Sequence, residues 1–386
     1  MKKILFIFGL LLPFVLFGSL TWTMDPQNVF AHPWNRHYRQ NETLKRAQLA
    51  LEIKRVKPKT FLLGSSRIHA ISTNYPILKE FPPVLVGSLP ASAMTEYRWY
   101  VEHAEAVQPL KRLVIELTWV RSFLGKIPVE FSSDRLLRVT QPTSYGTYLL
   151  NLAKDYYLFL FSRQIVDASV ADLLYQAGYG SQYAYFSSEI PAMVRGIPRA
   201  PDMSQEQKDP FGELKVILDM AHSFNFDVFF FIPPFSASFE ENTFDGYRVR
   251  GAKADGFAAM QLWERQLVQL FADESERTGK TYHLWDFSGF TSVAMAPLSG
   301  GKNQWFDDDR HFNGMTGKMM LDRLFGACAS PCAIPEDFGV RLTRDNLEEH
   351  LETVRQNRAQ YLQSQVNVTQ AAGKAASSIS AQSKPK

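Results

Sequence analysis

Two short polar segments, far apart in the chain, contain the residue types of a nucleophile, a base and an orienting acid. The first is Gly-Ser-Ser in "FLLGSSRIHA", where Ser66 follows an apolar run. The second is "DDDRH", where Asp308 and His311 are close enough in sequence for one turn to present both side chains. A serine hydroxyl needs an adjacent base to attack a carbonyl, histidine is the usual base, and a carboxylate orients the histidine. Together the segments indicate a serine nucleophile that a histidine and an acid activate.

Each segment also has a purely structural interpretation. A strand that ends in Gly-Ser-Ser is common in α/β proteins, because glycine permits a tight turn and serine caps the helix that follows. The acidic segment is also consistent with a solvated turn, a structural His311 or a metal site, and its spacing selects no particular metal. Position favours chemistry, because Ser66 follows the first predicted strand and Asp308 follows the last one.

Short apolar strands that alternate with helices predict βαβ units and a parallel sheet. The expected fold class is α/β, a three-layer sandwich around a central, mostly parallel, five-stranded sheet. The predicted strands are the one in "KTFLLGSS", which feeds a turn, then Val84–Val86, Arg112–Leu117, Val228–Ile232, and the one in "TYHLWDFSGF", which runs into Asp286. Sites in such sheets gather beyond the carboxyl ends of the strands.

Composition divides the chain into successive segments. The last of them is rich in Ala, Ser, Gln and Lys, which is typical of disorder. The predicted segments are an anchor or signal at 1–23, a linker and helix at 24–59, the α/β domain at 60–335 with a helical insertion at about 121–205, a C-terminal helical extension at 336–365, and a disordered tail at 366–386.

The N-terminal segment predicts a membrane anchor. Lys2 and Lys3 precede the uncharged run Ile4–Trp22, which is close to the roughly 20 residues that cross a bilayer. The lysines would stay cytoplasmic and direct the rest outward. A cleaved signal peptide and a buried soluble helix are the alternatives, but the small-x-small site of a signal peptide is not evident after Leu20. The favoured location is the cytoplasmic (inner) membrane, single-pass, with the body facing the periplasm or cell exterior.

Charge and cysteine content narrow the classes of partner. Lysine and arginine number 42 and the acidic residues 39, for a net charge of +3, which gives no support for a nucleic-acid partner. Cys328 and Cys332 can form a local disulfide in an exported protein or stay as free thiols. A zinc site would need two more ligands from elsewhere. We expect no cofactor and no metal.

The sequence resembles the SGNH (GDSL-like) hydrolase and acyltransferase superfamily, and within it the membrane-anchored extracytoplasmic proteins linked to cell-surface polysaccharide acylation. The resemblance covers roughly residues 60–326. The family's Gly-x-Ser block matches "FLLGSSR" and implies that Ser66, rather than Ser65, is the nucleophile. Its Asp-x-x-His block matches "DDRH" and implies that Asp308 and His311 complete a triad.

At the second and third blocks, this chain departs from the family's pattern. The second block normally offers a glycine whose N–H helps to bind the oxyanion, and here Ala91 in "GSLPASAM" takes that position. The third block normally offers an asparagine, and Thr118 in "IELTW" is the nearest candidate. Arg67, which follows the nucleophile, either pairs with a carboxylate or phosphate of the substrate or lies on a helix surface.

Two functions follow as expectations. The resemblance implies an extracytoplasmic serine-dependent acyl-ester hydrolase or O-acyltransferase acting on a cell-envelope polysaccharide, with a membrane-bound O-acyltransferase as partner. The alternative is a non-catalytic assembly or glycan-binding component of the same kind of system. The departures at Ala91 and Thr118 favour the alternative, whereas the matched Ser66, Asp308 and His311 favour the enzyme.

Overall fold

A computed structural model describes residues 2–24, 45–90, 92–119, 211–249, 255–327 and 333–382. The predicted helical insertion and the pair Cys328 and Cys332 lie outside these residues. The described contacts divide the chain into two compact units, and the second, Pro58–Arg98, Gln108–Lys126 and Gln207–Lys386, contains every described strand.

The described elements alternate between strands and helices along most of the chain. The strands are β1 Thr60–Gly64, β2 Val84–Ser88, β3 Arg112–Glu116, β4 Asp227–Ile232, β5 His283–Asp286 and β6 Val340–Leu342. The helices are α1 Lys2–Met24, α2 Lys45–Val56, α3 Met94–Val107, α4 Gly212–Ser223, α5 Ala237–Val249, α6 Gly256–Thr278, α7 Gly314–Leu324 and α8 Leu347–Gln382. Short 3₁₀ helices cover Ser66–Ala70 and Pro76–Glu80.

The described strands form one six-stranded sheet in the order β2-β1-β3-β4-β5-β6. Neighbours from β2 to β5 pair in parallel, and β6 pairs antiparallel with β5. All five predicted strands are present, but the expectation of five strands was wrong by one. The strand missed is β6, whose three residues "VRL" are too short and too polar to stand out as an apolar run.

Helices cover both faces of the sheet. Adjacent residues of a strand point to opposite faces, and β4 uses the two sides differently. Phe230 stacks on Phe271 of α6 at 4.6 Å between ring centroids, whereas Phe229 meets Phe325 at the end of α7 edge-on at 4.9 Å. The described unit is therefore an α/β structure with helices on either side of the sheet.

The order of the strands reverses at one point of the sheet. From β1 the chain passes to β2 on one side, and then returns to place β3 on the other side of β1. In open α/β sheets, ligands bind beyond the carboxyl ends of the strands at such a reversal point, so we expect a site after β1 and β3. The sequence "GSSR" leaves β1 at this point, and Glu116 ends β3.

The membrane anchor expected at the N-terminus stays a prediction, whereas the C-terminal tail differs from its prediction. Within the described residues, none of the helices combines the length and the apolar character needed to cross a membrane. The tail that was predicted to be disordered from residue 366 instead continues α8 as far as Gln382. Its alanines favour helix strongly, and no proline interrupts the helix before Pro385.

Candidate active site

Ser66 lies at the start of the 3₁₀ helix that directly follows β1. Ser65 caps this helix by accepting a hydrogen bond from the backbone N–H of Arg67. The turn leaves the Ser66 hydroxyl facing the loop before α7, where Ser66 Oγ lies 3.0 Å from His311 Nε2. This separation falls within the range of about 2.6–3.2 Å expected of a nucleophile and its base. The expected proximity is present, and the catalytic role of Ser66 stays a prediction.

Asp308 and His311 form a compact turn. Asp308 Oδ1 accepts the backbone N–H groups of Arg310 at 2.9 Å and of His311 at 2.8 Å. Asp308 Oδ2 lies 2.8 Å from His311 Nδ1. A carboxylate at Nδ1 favours the tautomer protonated there, which leaves Nε2 free to accept the Ser66 proton.

Buried neighbours fix the loop that presents this turn. Phe306 and Phe312 are fully buried on either side of it and are joined by an antiparallel bridge. Asn313 then caps α7 by accepting the N–H groups of Met315 and Thr316. Across the site, Ser236 Oγ donates to the carbonyl of Asp309 at 2.8 Å. The side chain of His311 is therefore held by a packed frame even though it is itself partly exposed.

Electrostatics keep Asp308 ionised. Partial burial alone raises the pKa of this carboxyl, but hydrogen bonds from Arg310 N–H and from the ring and N–H of His311 together lower the pKa below its ordinary value. An ionised Asp308 can orient His311 and stabilise the imidazolium that forms when the ring takes a proton.

A second carboxylate, which the sequence analysis overlooked, lies beside the nucleophile. Glu116 is almost completely buried, and it accepts hydrogen bonds from the N–H and the hydroxyl of Ser65 at 2.9 and 2.7 Å. Arg67 Nη1 donates to the same carboxylate at 2.5 Å. The signal that pointed to it was an acid directly after the apolar residues of the strand "RLVIE".

Gly64 is required where Glu116 approaches β1. A Cβ at this glycine would lie 2.7 Å from Glu116 Oε2 and 2.7 Å from a methyl group of Ile68. The glycine of the Gly-Ser-Ser segment therefore provides space for the Glu116 carboxylate from the neighbouring strand β3.

The structure describes two of the three residues predicted to bind the oxyanion or the substrate. Thr118 is buried two residues beyond the end of β3, and Ala91 lies outside the described residues. Arg67 is not on an open helix surface, because its guanidinium pairs with Glu116 and lies 4.4 Å from the centre of the Phe235 ring. Its expected role in binding a substrate anion stays a prediction.

A row of side chains joins the two halves of the triad. Arg67 lies over Phe235, Phe235 stacks on Phe239 at 5.3 Å, and Arg310 lies over Phe239 at 5.3 Å. Arg67 follows Ser66 in sequence and Arg310 precedes His311. Cation–π and stacking contacts of this kind contribute about 0.5–1 kcal/mol each, so the row helps to hold Ser66 opposite His311.

Asp286, the last residue of β5, bonds to other partners than Ser66, Asp308 and His311. Its Oδ2 lies 2.7 Å from His350 Nε2 of α8, and its Oδ1 accepts the hydroxyl of Ser288 at 2.6 Å. Burial alone raises the pKa of Asp286, but hydrogen bonds from His350 and Ser288 lower the pKa below its ordinary value. Within the described part of the chain, no group of His, Cys, Asp and Glu side chains has the arrangement of a metal site.

Comparisons with known proteins add no identification. No family model matches the chain, and no curated protein matches it at a significant level. The chemistry of the site must therefore be argued from its own residues.

Proposed function

We propose that the chain is a serine-dependent acyl-ester hydrolase or O-acyltransferase of the SGNH-like type. The observation that carries the proposal is the continuous hydrogen-bonded chain from Ser66 Oγ through His311 to Asp308, with separations of 3.0 and 2.8 Å. The partial exposure of His311 leaves access for a substrate beside this chain, at the reversal of strand order between β1 and β3 where a ligand is expected.

In this mechanism Ser66 Oγ attacks the acyl carbonyl carbon while His311 Nε2 takes the hydroxyl proton. The tetrahedral intermediate collapses, His311 returns the proton to the leaving alkoxide, and the acyl group stays on Ser66. A water molecule or a sugar hydroxyl, deprotonated by His311, then removes the acyl group. The backbone N–H groups of Ser66 and Ala91, with Thr118, are the proposed oxyanion donors. Loss of one such donor typically lowers the rate by about 10²–10³-fold.

The proposal also includes the location and the partners of the protein. The body lies outside the cytoplasm, anchored in the inner membrane by α1, where it acts on a cell-envelope glycan and receives acyl groups from a membrane-bound O-acyltransferase. Lys2 and Lys3 before the uncharged run support this location, as do the large apolar side chains that α1 exposes. These are Leu11, Leu12, Phe14, Val15, Leu16, Phe17 and Trp22.

Hydrolysis of a simple ester by the full-length protein tests the proposal. Wild type is expected to hydrolyse 4-nitrophenyl acetate, and Ser66→Ala is expected to fall to the buffer rate. Ser65→Ala is the matched control, because its hydroxyl faces Glu116 rather than His311, and it should retain measurable turnover. Adding a soluble oligosaccharide distinguishes transfer from hydrolysis, since a transferase would yield acylated sugar.

Folded wild-type protein that hydrolyses no ester, transfers no acyl group and differs in nothing from Ser66→Ala would contradict the enzyme. That outcome favours the non-catalytic assembly or glycan-binding role, which the departures at Ala91 and Thr118 also support.

A further inference from the structure

The carboxylate of Glu116 holds the chain on both sides of Ser66. Before the serine, it accepts the N–H and the hydroxyl of Ser65, and after the serine it accepts a guanidinium N–H of Arg67. Arg67 Nη1 also donates to Ser65 Oγ at 3.0 Å, which closes the triangle. Ser66 lies between two residues that share one carboxylate and is left to face His311.

The neighbouring strands make this arrangement rigid. Leu63 of β1 pairs in register with Ile115 of β3, so the two strands end side by side where Glu116 reaches across. Ser88 at the end of β2 donates its hydroxyl to the carbonyl of Ser65 at 3.1 Å, on the other side of β1. The backbone before Ser66 is therefore tied to both neighbouring strands.

The charge of Glu116 requires a counter-ion. Its side chain is 1% exposed, and an ionised carboxylate is stable at such depth only when it is paired and hydrogen-bonded. Arg67, 11% exposed and covered by the Phe235 ring, supplies the positive charge. The ion pair of Glu116 and Arg67 has no net charge. It therefore adds no net negative charge beside Ser66, where the reaction develops a negative oxygen.

We propose that Glu116 is the positioning residue of the nucleophile Ser66, and that Arg67 acts as its counter-ion rather than as a ligand for a substrate anion. The inference rests on the proposed function and deepens it. It gives Glu116 the role of holding the backbone around Ser66, and it gives Arg67 the structural role of neutralising Glu116. Substrate charge is then not selected by Arg67.

Three variants of the full-length protein test the inference: Glu116→Gln, Arg67→Met and the double variant. Glu116→Gln keeps the shape but weakens the hold on Ser65, and kcat is expected to fall about 10–10²-fold, as small misplacements of a reacting group do. Arg67→Met leaves a buried, unpaired carboxylate beside the site, and its kcat should fall further. The double variant should recover at least tenfold over Arg67→Met, because the unpaired charge is gone.

Separate measurement of kcat and KM distinguishes a positioning role from a role in substrate binding. A neutral ester, 4-nitrophenyl acetate, and an anionic one, 4-nitrophenyl hemisuccinate, should lose kcat equally in Arg67→Met, with KM within about threefold of wild type. If Arg67 were an anion ligand, KM would rise for the anionic ester alone, and neutralising Glu116 would not correct it. That pattern, or a Glu116→Gln enzyme with wild-type kcat, overturns the inference.

A control and a second readout separate this test from the fate of the proposed function. Glu348→Gln breaks an exposed pair with Arg265 and should change nothing in catalysis. If wild type neither hydrolyses an ester nor transfers an acyl group, the proposed function fails, and crystal structures then decide the positioning claim. In Glu116→Gln the separation of Ser66 Oγ and His311 Nε2, 3.0 Å here, should exceed about 3.5 Å, beyond hydrogen-bond range. An unchanged separation would overturn it.

Discussion

Two aspartate–histidine pairs in this chain have nearly the same separation but lie in different environments. In the pair beside Ser66, His311 and Asp308 are 34% and 50% exposed, and the contact is 2.8 Å. In the pair that joins α8 to β5, His350 and Asp286 are 10% and 1% exposed, and the contact is 2.7 Å. A serine accompanies each pair, Ser66 in one and Ser288 in the other.

The serines show what separates the two pairs. Ser66 bonds to the histidine at Nε2, the nitrogen opposite the aspartate, so a proton can pass from the serine to the ring. Ser288 bonds to the aspartate and not to the ring, and His350 uses its own Nε2 for Asp286. The same residue types thus have the geometry of a proton-transfer chain in one place and form a buried contact between α8 and β5 in the other.

The largest expected effect is a crossed pattern between the two histidines. His311→Gln should lower kcat about 10³-fold, because the general base is lost, with little change in stability. His350→Gln should leave kcat within about twofold and lower the free energy of unfolding by about 3 kcal/mol, because the buried Asp286 carboxylate loses its histidine and keeps only the hydrogen bonds from Ser288. Ester hydrolysis and urea unfolding measure the two effects. Equal effects of both variants on kcat would remove the distinction.

The second prediction concerns Glu240 and Glu264, two buried acids whose pKa values the charge of Asp286 affects. Burial raises the pKa of Glu240 to about 8, and the charges of Asp286 and Glu241 add to the rise despite a bond from Gly289 N–H. Burial also raises the pKa of Glu264. A raised folded pKa means stability that is complete below the unfolded value and is lost as pH rises through the folded one.

The free energy of unfolding should therefore fall as Glu240 ionises between about pH 4.5 and about pH 8, by up to about 1 kcal/mol per pH unit. Glu240→Gln should flatten the part of the slope that Glu240 causes, and urea unfolding at several pH values measures it. A slope that is identical in the variant would show that Glu240 ionises freely in the folded state.

The smallest effect belongs to Ser288. Ser288→Ala removes one hydroxyl donor from Asp286 but keeps the N–H of residue 288 that also bonds to this carboxylate at 2.8 Å. Loss of about 1 kcal/mol of stability is expected, with unchanged ester hydrolysis. Ser66→Ala should show the reverse, full stability and no hydrolysis, in the same two assays.

The two pairs also show how far sequence could predict this molecule. Asp308 and His311 lie within one turn, so their spacing alone predicted that they meet. Asp286 and His350 are distant in sequence, and so are Glu116 and Ser65. These contacts depend on which strands become neighbours, which no local pattern contains. The strands themselves were predictable because β1, β3 and β4 are apolar runs between turns, whereas the short β6 was not.

The most direct test of the central claim is to locate the residue that reacts with a serine-directed fluorophosphonate. The reagent is added to the full-length protein, which is then digested with trypsin and analysed by mass spectrometry. The tryptic peptide Thr60–Arg67, "TFLLGSSR", contains both candidate serines, and fragmentation distinguishes them. The account predicts a single adduct on Ser66 that is absent from His311→Gln. An adduct on Ser65, or folded protein that forms no adduct at all, would contradict it.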